Sequence, residues 1–251
     1  MLAFERREKI LKHILIDKKV RIGDLATAFS VSEETIRRDM KQLEGNGMLK
    51  RFYGGAVITG LTREIPSRDR HLAQIEEKGK IAQKAAELIN NQTTIMADSG
   101  STVFETLKEI NRTKKDIIIV TNSVNVLYEL RDSNIDIFST GGNLRKESTS
   151  LVGPAASDFI GNYYADIAIF GCKGLSVEHG ITESNEPESQ LKMQMHKHSK
   201  KIMVLADHTK FDKVAFIKTF NFSQIDYLVT DIAPSQLWLD FLEEMNVEVV
   251  W

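Results

Sequence analysis

The sequence contains one cysteine, Cys172, among 251 residues. A single thiol excludes an internal disulfide and a cysteine-built zinc site. With no activating partner in view, Cys172 reads as a small packed hydrophobe. No run of about 18 apolar residues occurs, so no membrane-spanning helix is expected. The opening stretch "MLAFERREKI" lacks the apolar core of a signal peptide, which points to a cytoplasmic protein. Histidine is also scarce, with six residues. The pair in "HKH" at 196–198 would stand about 200° apart on a helix, and with His179 it makes no metal set. No internal repeat or low-complexity segment is present, and nothing calls for a cofactor. What remains is 42% hydrophobic and 27% charged, the balance of a globular chain. The length fits one large or two modest domains.

Charge is unevenly spread. Residues 1–60 hold 12 Lys and Arg against 8 Asp and Glu, a net +4; the rest hold 21 against 27, a net −6. A basic head on an acidic body places any polyanion at the head. In "RREKILKHILIDKK", Ile10, Leu11, Ile14 and Leu15 fall at helical spacing. After the short extended piece "VRI", "GDLATAFS" predicts a compact helix burying Leu25 and Phe29. "SVSEETIRRDMKQLEGNG" predicts another, N-capped by Ser32, with Glu33 and Glu34 at the positive end of its dipole. Ile36, Met40 and Leu43 form its buried stripe, and Gly45 and Gly47 end it. Glu34, Thr35, Arg37, Arg38 and Lys41 are left on or beside the outward face. The order predicts a helix-turn-helix whose second helix enters the DNA major groove. The ribbon "MLKRFYGGA" then supplies a wing, with Lys50 and Arg51 along the neighbouring backbone or minor groove. One such unit touches few base pairs, so specific binding to double-stranded operator DNA calls for a homodimer or higher homo-oligomer.

The run from "REKIL" to "GGA", with its "S-x-x-T-I-R-R-D" core, resembles the N-terminal winged helix of the DeoR family of bacterial repressors. That family usually carries histidine before the two glycines, where Tyr53 stands here.

Beyond "TGLTREIPSRDRH", which reads as a linker, and a helical stretch "LAQIEEKGKIAQKAAELI", apolar runs alternate with helical segments. The predicted strands are "TTIMAD", "DIIIVT", "DIFST", "ADIAIFG", "KIMVLAD", "DYLVTD" and "VEVVW". The helical segments include 102–111, 123–131, 154–162, 186–199 and 234–245. Such alternation predicts a mainly parallel, Rossmann-like α/β sheet with helices on both faces. Ligands of such sheets bind beyond the carboxyl ends of the strands. There the sequence places "DSGST", whose free amides and the hydroxyls of Ser99, Ser101 and Thr102 make a phosphate cradle. It also places "NSVN", "GGNLRKEST" with Arg145 and Lys146, "GCKGLSVEHGITES" with Lys173, His179 and Glu183, and "HTKF" with Lys210.

"DSGST", "VTNS", "GGNLR", "LVGPAA", "GCKGL…GIT" and "ADHTKF" resemble the C-terminal sensor domain of the same family, which is itself similar to ribose-5-phosphate isomerase and the glucosamine-phosphate deaminases. The resemblance covers nearly the whole chain. It implies a winged helix at 1–58, a linker at 59–74 and a sensor at 75–251 for a phosphorylated sugar or polyol. It implies a phosphate on Ser99, Gly100, Ser101 and Thr102 with Lys210 as counter-charge, and Asp98 among the effector-binding residues. Asn122, Ser123, Lys173, Glu183 and Glu186 are the implied sugar contacts. The alternative is a sugar-phosphate isomerase or deaminase with an appended DNA-binding domain. Isomerisation needs a carboxylate base beside the substrate carbon. The isomerases carry an Asp-Gly-Ala-Asp-Glu loop after the fourth strand; Gly171, Cys172, Lys173 and Gly174 stand there instead. A regulator without catalysis is therefore the expectation.

Overall fold

A computed structural model describes residues 6–7, 9–10, 13–14, 19–45, 49–52, 54–58 and 67–251. The chain divides into two compact units, Met1–Arg63 and Glu64–Trp251. Among the described residues no helix is long and apolar enough to cross a membrane.

In the first unit, strand β1 (Lys19–Arg21) leads directly into α1 (Ile22–Phe29). Ser30 turns the chain with a left-handed backbone, and Val31 donates its amide back to Ala26. This reversal sets up α2 (Glu33–Gly45), followed by β2 (Leu49–Phe52) and β3 (Gly55–Ile58). The strands form an antiparallel sheet in the order β1-β3-β2. Gly55 admits no side chain, because a Cβ there would stand 2.2 Å from the Val20 carbonyl oxygen. Ile10, Ile14, Leu25, Ile36, Met40, Leu43 and Leu49 close one buried cluster; Phe29 is only half-buried against it. Leu11, Leu15, Gly47 and Tyr53 lie outside the described residues.

The second unit opens with α3 (Ser67–Leu72), which falls inside the span 59–74 expected as linker. The linker expectation is corrected there: His71 packs on Phe104, and Lys78 holds the helix end. Residues 59–66 lie outside the described residues. Then follow α4 (Ile75–Glu87), β4 (Thr94–Ala97), α5 (Ser101–Thr113), β5 (Ile118–Thr121), α6 (Val124–Glu129) and β6 (Asp136–Ser139). A hairpin, β7 (Asn143–Arg145) and β8 (Ser150–Val152), precedes α7 (Pro154–Ile160) and β9 (Ala165–Gly171). The chain continues through β10 (Gly174–Ser176), β11 (Gly180–Glu183), α8 (Glu186–Lys197), β12 (Ser199–Leu205), β13 (Ile217–Phe220), β14 (Tyr227–Val229), α9 (Gln236–Glu244) and β15 (Glu248–Val250).

All seven strands expected from the sequence join one sheet in the order β15-β14-β12-β9-β4-β5-β6, and every pairing in it is parallel. The two-residue period of a strand divides its side chains between the faces. Ile95 and Ala97 join the cluster under α4, α5 and α6; Met96 joins the cluster under α7, α8 and α9. The stretch expected as a polar loop after β9 is instead a hairpin, β10–β11, to which β13 adds a third antiparallel strand. Leu175 and Ile181 seat it on the core, a pattern too short to stand out in sequence.

Strand order reverses at the centre. From β4 the chain runs outward through β5 and β6, then returns to the other side of β4 with β9. The crevice beyond the carboxyl ends of β4 and β9 is therefore the topological switch point, where open α/β sheets bind ligands.

Candidate functional site

Two surfaces carry candidate chemistry, one in each unit. On the first, α2 turns Ile36, Met40 and Leu43 inward and leaves Glu34, Arg37, Arg38 and Lys41 exposed. Ser32 caps the helix, its Oγ accepting the Thr35 amide at 3.2 Å and lying 2.9 Å from Thr35 Oγ1. Arg37 bonds Glu33 at 2.8 Å one turn back. Arg38 and Lys41 have no ion pair among the described residues, so both are open to a phosphate or base edge. Arg51 is committed: its Nε donates to Glu44 Oε2 at 2.6 Å and its amide to Oε1 at 2.9 Å. Lys50 lies on β2, and its side chain is outside the described residues. A buried clamp supports the surface. Asp39 accepts Arg6 Nε at 2.5 Å, and Arg7 lies at 3.6 Å.

On the second unit, Asp98 bridges the switch point. Its Oδ1 accepts the Gly100 amide at 2.7 Å; its Oδ2 accepts the Gly171 amide at 3.1 Å. A Cβ on Gly100 would lie 2.8 Å from Asp98 Oδ1 and 3.5 Å from Gly171 Cα, so glycine lets the loops after β4 and β9 meet. Lys192 of α8 fastens the junction. Its ammonium lies 2.6 Å from Asp98 Oδ2, bonds Glu183, and donates to the Gly171 carbonyl at 2.7 Å. Burial opposes its charge, but Asp98 and Glu183 outweigh burial and hold its pKa above the ordinary lysine value. Asp98, Ser99, Asn122, Glu188 and Lys192 line a small cleft with Leu191 and Met195. Asn122 is 2% exposed. Its amide donates to the Leu151 carbonyl, while its Oδ1 has no partner.

Beside this cleft, α5 starts at Ser101 with no side chain capping its first amides. The hydroxyls of Ser99, Ser101 and Thr102 have no hydrogen bond among the described residues. Lys173 is half-buried, and burial lowers its pKa against the opposing pull of Glu183. Lys210 sits 3.6 Å from Asp207. The structure thus gathers Asp98, Ser99, Asn122 and Glu183 around Lys192, with Gly100, Ser101, Thr102 and Lys173 beside them. Two expected contacts go elsewhere. Ser123 caps α6, its Oγ accepting the Val126 amide at 3.3 Å. Glu186 is exposed and accepts from Gln190 at 3.0 Å; two residues on, a helix has turned about 200°, and Glu188 faces inward instead.

Glu188 and Lys192 were missed because a helix bearing scattered charges looks solvated in sequence. Their four-residue spacing with buried Ser189 and Met195 was the available signal. Glu188 accepts from Ser150 at 2.8 Å and Asn185 at 2.7 Å. Burial raises its pKa, but hydrogen bonds from Ser148, Asn185 and Ser150 and the charge of Lys192 overcome this and hold it at about 2. Cys172 is buried, which pushes its thiol up to about 12 and makes it inert.

Residues 6–60 match the family model described as the DeoR-like helix-turn-helix domain, and residues 73–232 match the DeoR C terminal sensor domain. The chain is 33% identical over 98% of its length to the HTH-type transcriptional repressor GlcR of Bacillus subtilis, covering 95% of that protein. It is 30% identical over 98% of its length to the glycerol-3-phosphate regulon repressor of Escherichia coli, covering 97% of it. Among solved structures, eIF2B delta from Chaetomium thermophilum aligns with a TM-score of 0.50 at 18% identity, over 66% of this chain and 58% of that one. That likeness concerns the fold alone.

Proposed function

Since the chain belongs to the DeoR family of transcriptional regulators, we propose that it is a cytoplasmic repressor of a carbohydrate catabolic operon, released or engaged by a phosphorylated sugar or polyol. The names of its relatives support this, one of them a repressor of a glycerol-3-phosphate regulon. The observation that carries the ligand reading is the switch-point crevice, where free α5 amides adjoin the unpartnered Asn122 Oδ1. Amides at a helix start favour a phosphoryl group. A buried acceptor without a partner favours a ligand hydroxyl. Ser99, Gly100, Ser101 and Thr102 hold the phosphoryl end, with Lys210 and Lys173 as counter-charges. Asn122 and Glu183 face the hydroxyl end, and Asp98 fixes the loop between them.

Operator binding rests on the α2 face, with Ser32, Glu34 and Thr35 at its start and Arg37, Arg38 and Lys41 reaching the groove. Lys50 and Arg51 lie on the wing, and the protein works as a homodimer or larger homo-oligomer. Catalysis is not part of this function. A general base needs an oxygen free to take a proton. Asp98 spends both oxygens on amides and Lys192, and Glu183 is committed to the same ammonium.

A thermal-shift panel of phosphorylated sugars and polyols beside their unphosphorylated forms tests the ligand class. Stabilisation by one phosphorylated compound, without turnover of it, is expected. A folded protein unmoved by the whole panel sinks the metabolite-sensor reading.

A further inference from the structure

The opening turns of α2 carry two Glu–Arg pairs at the same four-residue spacing, and one of them is open. Glu33 Oε2 accepts from Arg37 Nη2 at 2.8 Å. Glu34 and Arg38, each one residue on, are both exposed. Neither has a hydrogen bond or ion pair, with the other or with any described residue. Glutamate ahead of a cation at this spacing is the order that favours pairing on a helix, so the open pair leaves a carboxylate and a guanidinium to water. Their neighbours are engaged. Ser32 Oγ accepts the Thr35 amide and lies 2.9 Å from Thr35 Oγ1. Asp39 is buried on Arg6, and Ile36 and Met40 belong to the core. From Ser32 to Met40, Glu34 and Arg38 are therefore the two polar side chains without a partner among the described residues. A recognition helix reads base edges with residues of its N-terminal part. A carboxylate there is repelled by the phosphates unless a base donor meets it. In the major groove guanine and thymine present acceptors to it, adenine sets its N7 acceptor beside the N6 donor, and cytosine presents the N4 donor.

We propose that Glu34 sets the operator's sequence by accepting from cytosine N4, while Arg38 donates to the O6 and N7 of a guanine nearby. This deepens the operator-binding reading above and rests on it. Four helical residues rise about 6 Å, against about 3.4 Å per base pair, so the two side chains reach base pairs one or two steps apart. Their tasks differ in kind. Arg38 adds affinity for phosphates and guanine alike, whereas Glu34 works chiefly by refusal: it weakens every duplex that brings an acceptor to its oxygens. Arg37, tied back to Glu33, keeps its guanidinium away from that carboxylate. The open pair thus stays available for two different bases.

The experiment exposes the full chain to a library of random-sequence duplex DNA and sequences what is bound, for wild type, Glu34→Gln, Glu34→Ala and Glu33→Gln. Wild type is expected to enrich a motif with a cytosine one or two base pairs from a fixed guanine. Glu34→Gln is expected to exchange that cytosine for adenine, whose N6 and N7 match a side-chain amide. Glu34→Ala is expected to bind duplexes with other bases there more tightly than wild type does, flattening a preference of about tenfold. Glu33→Gln removes the same charge from the same turn and is expected to keep the cytosine. The same base at that position in wild type and both Glu34 variants overturns the assignment. So does an equal loss of the cytosine in Glu33→Gln, which would make Glu34 a helix-end charge and no reader. Either result leaves operator binding standing, whereas a wild-type protein that enriches no motif sinks the operator reading itself. If the Glu34 variants do not fold, the wild-type motif decides alone: a fixed guanine with no cytosine within two base pairs overturns the proposal.

Discussion

Glu188, buried in the same cleft as Lys192, ties the stability of the second unit to acid pH. Its folded pKa of about 2 lies below the ordinary 4.5. The deprotonated form is therefore stabilised by folding, and that contribution is complete above about pH 4.5 and lost as pH falls toward 2. A depression of this size corresponds to about 3 kcal/mol. Glu188→Gln is expected to be less stable than wild type at neutral pH, with the gap closing by about 3 kcal/mol on acidification to about pH 2. Urea unfolding across that range measures it, and a constant gap would show that Glu188 does not titrate as described. The same residue marks where sequence reading stops. Glu186 and Glu188 are equivalent acids in a helical run until N-capping by Asn185 fixes the phase of α8. Only then does one face water and the other Ser150. Asp98 was legible because it follows a strand, and Glu183 because it stands in the polar run after β9. Lys192 was not, because nothing in a single sequence distinguishes a buried lysine with three acceptors from one in solvent.

At the scale of elements, the DNA-binding unit is held by few parts. Asp39 ties α2 to Arg6 from the back of the helix while Arg38 and Lys41 face outward. Breaking a buried ion pair by removing one partner costs about 3–5 kcal/mol. Asp39→Ala is expected to speed amide exchange across α2 in the full chain by a corresponding factor and to weaken operator binding without touching DNA. Unchanged exchange would refute the clamp. For the surface itself, Arg38→Ala should cost about 1–3 kcal/mol in operator affinity if the residue reads a base. Arg51→Ala should lower the salt slope by less than about one unit, because Glu44 already engages its guanidinium. Glu44→Gln should strengthen binding to all duplexes alike. Gel shifts at several salt concentrations separate these outcomes, and a full-unit loss for Arg51→Ala would mean that DNA displaces Glu44. Elements were legible in proportion to their apolar content. Runs such as "DIIIVT" and "ADIAIF" became buried parallel strands. The hairpins β7–β8 and β10–β11 were not seen, because strands of three or four residues are too short to leave a periodic signal.

At the scale of the whole chain, the cores are separate. The cluster around Ile36 and Leu49 draws only on residues before 63, and both clusters flanking the large sheet draw only on residues after 80. The fragment Glu64–Trp251 is therefore expected to fold alone and to gain about 2.7 kcal/mol at a hundredfold excess of effector over its dissociation constant. A fragment that melts without cooperativity would show that it depends on the first unit. The sheet order has a further consequence, in time rather than in space. The central strand β4 pairs with β9, Ile95 opposite Ile167, about seventy residues later in the chain. Its outer neighbours β12, β14 and β15 come later still. Contacts at such separation form slowly, because loop closure precedes any reward. The first unit pairs β1, β2 and β3 within some forty residues and needs nothing downstream. During synthesis, which proceeds from the N-terminus, the DNA-reading unit can thus be complete while half of the sheet still waits in the ribosome. A nascent chain would meet DNA before it could answer to a metabolite.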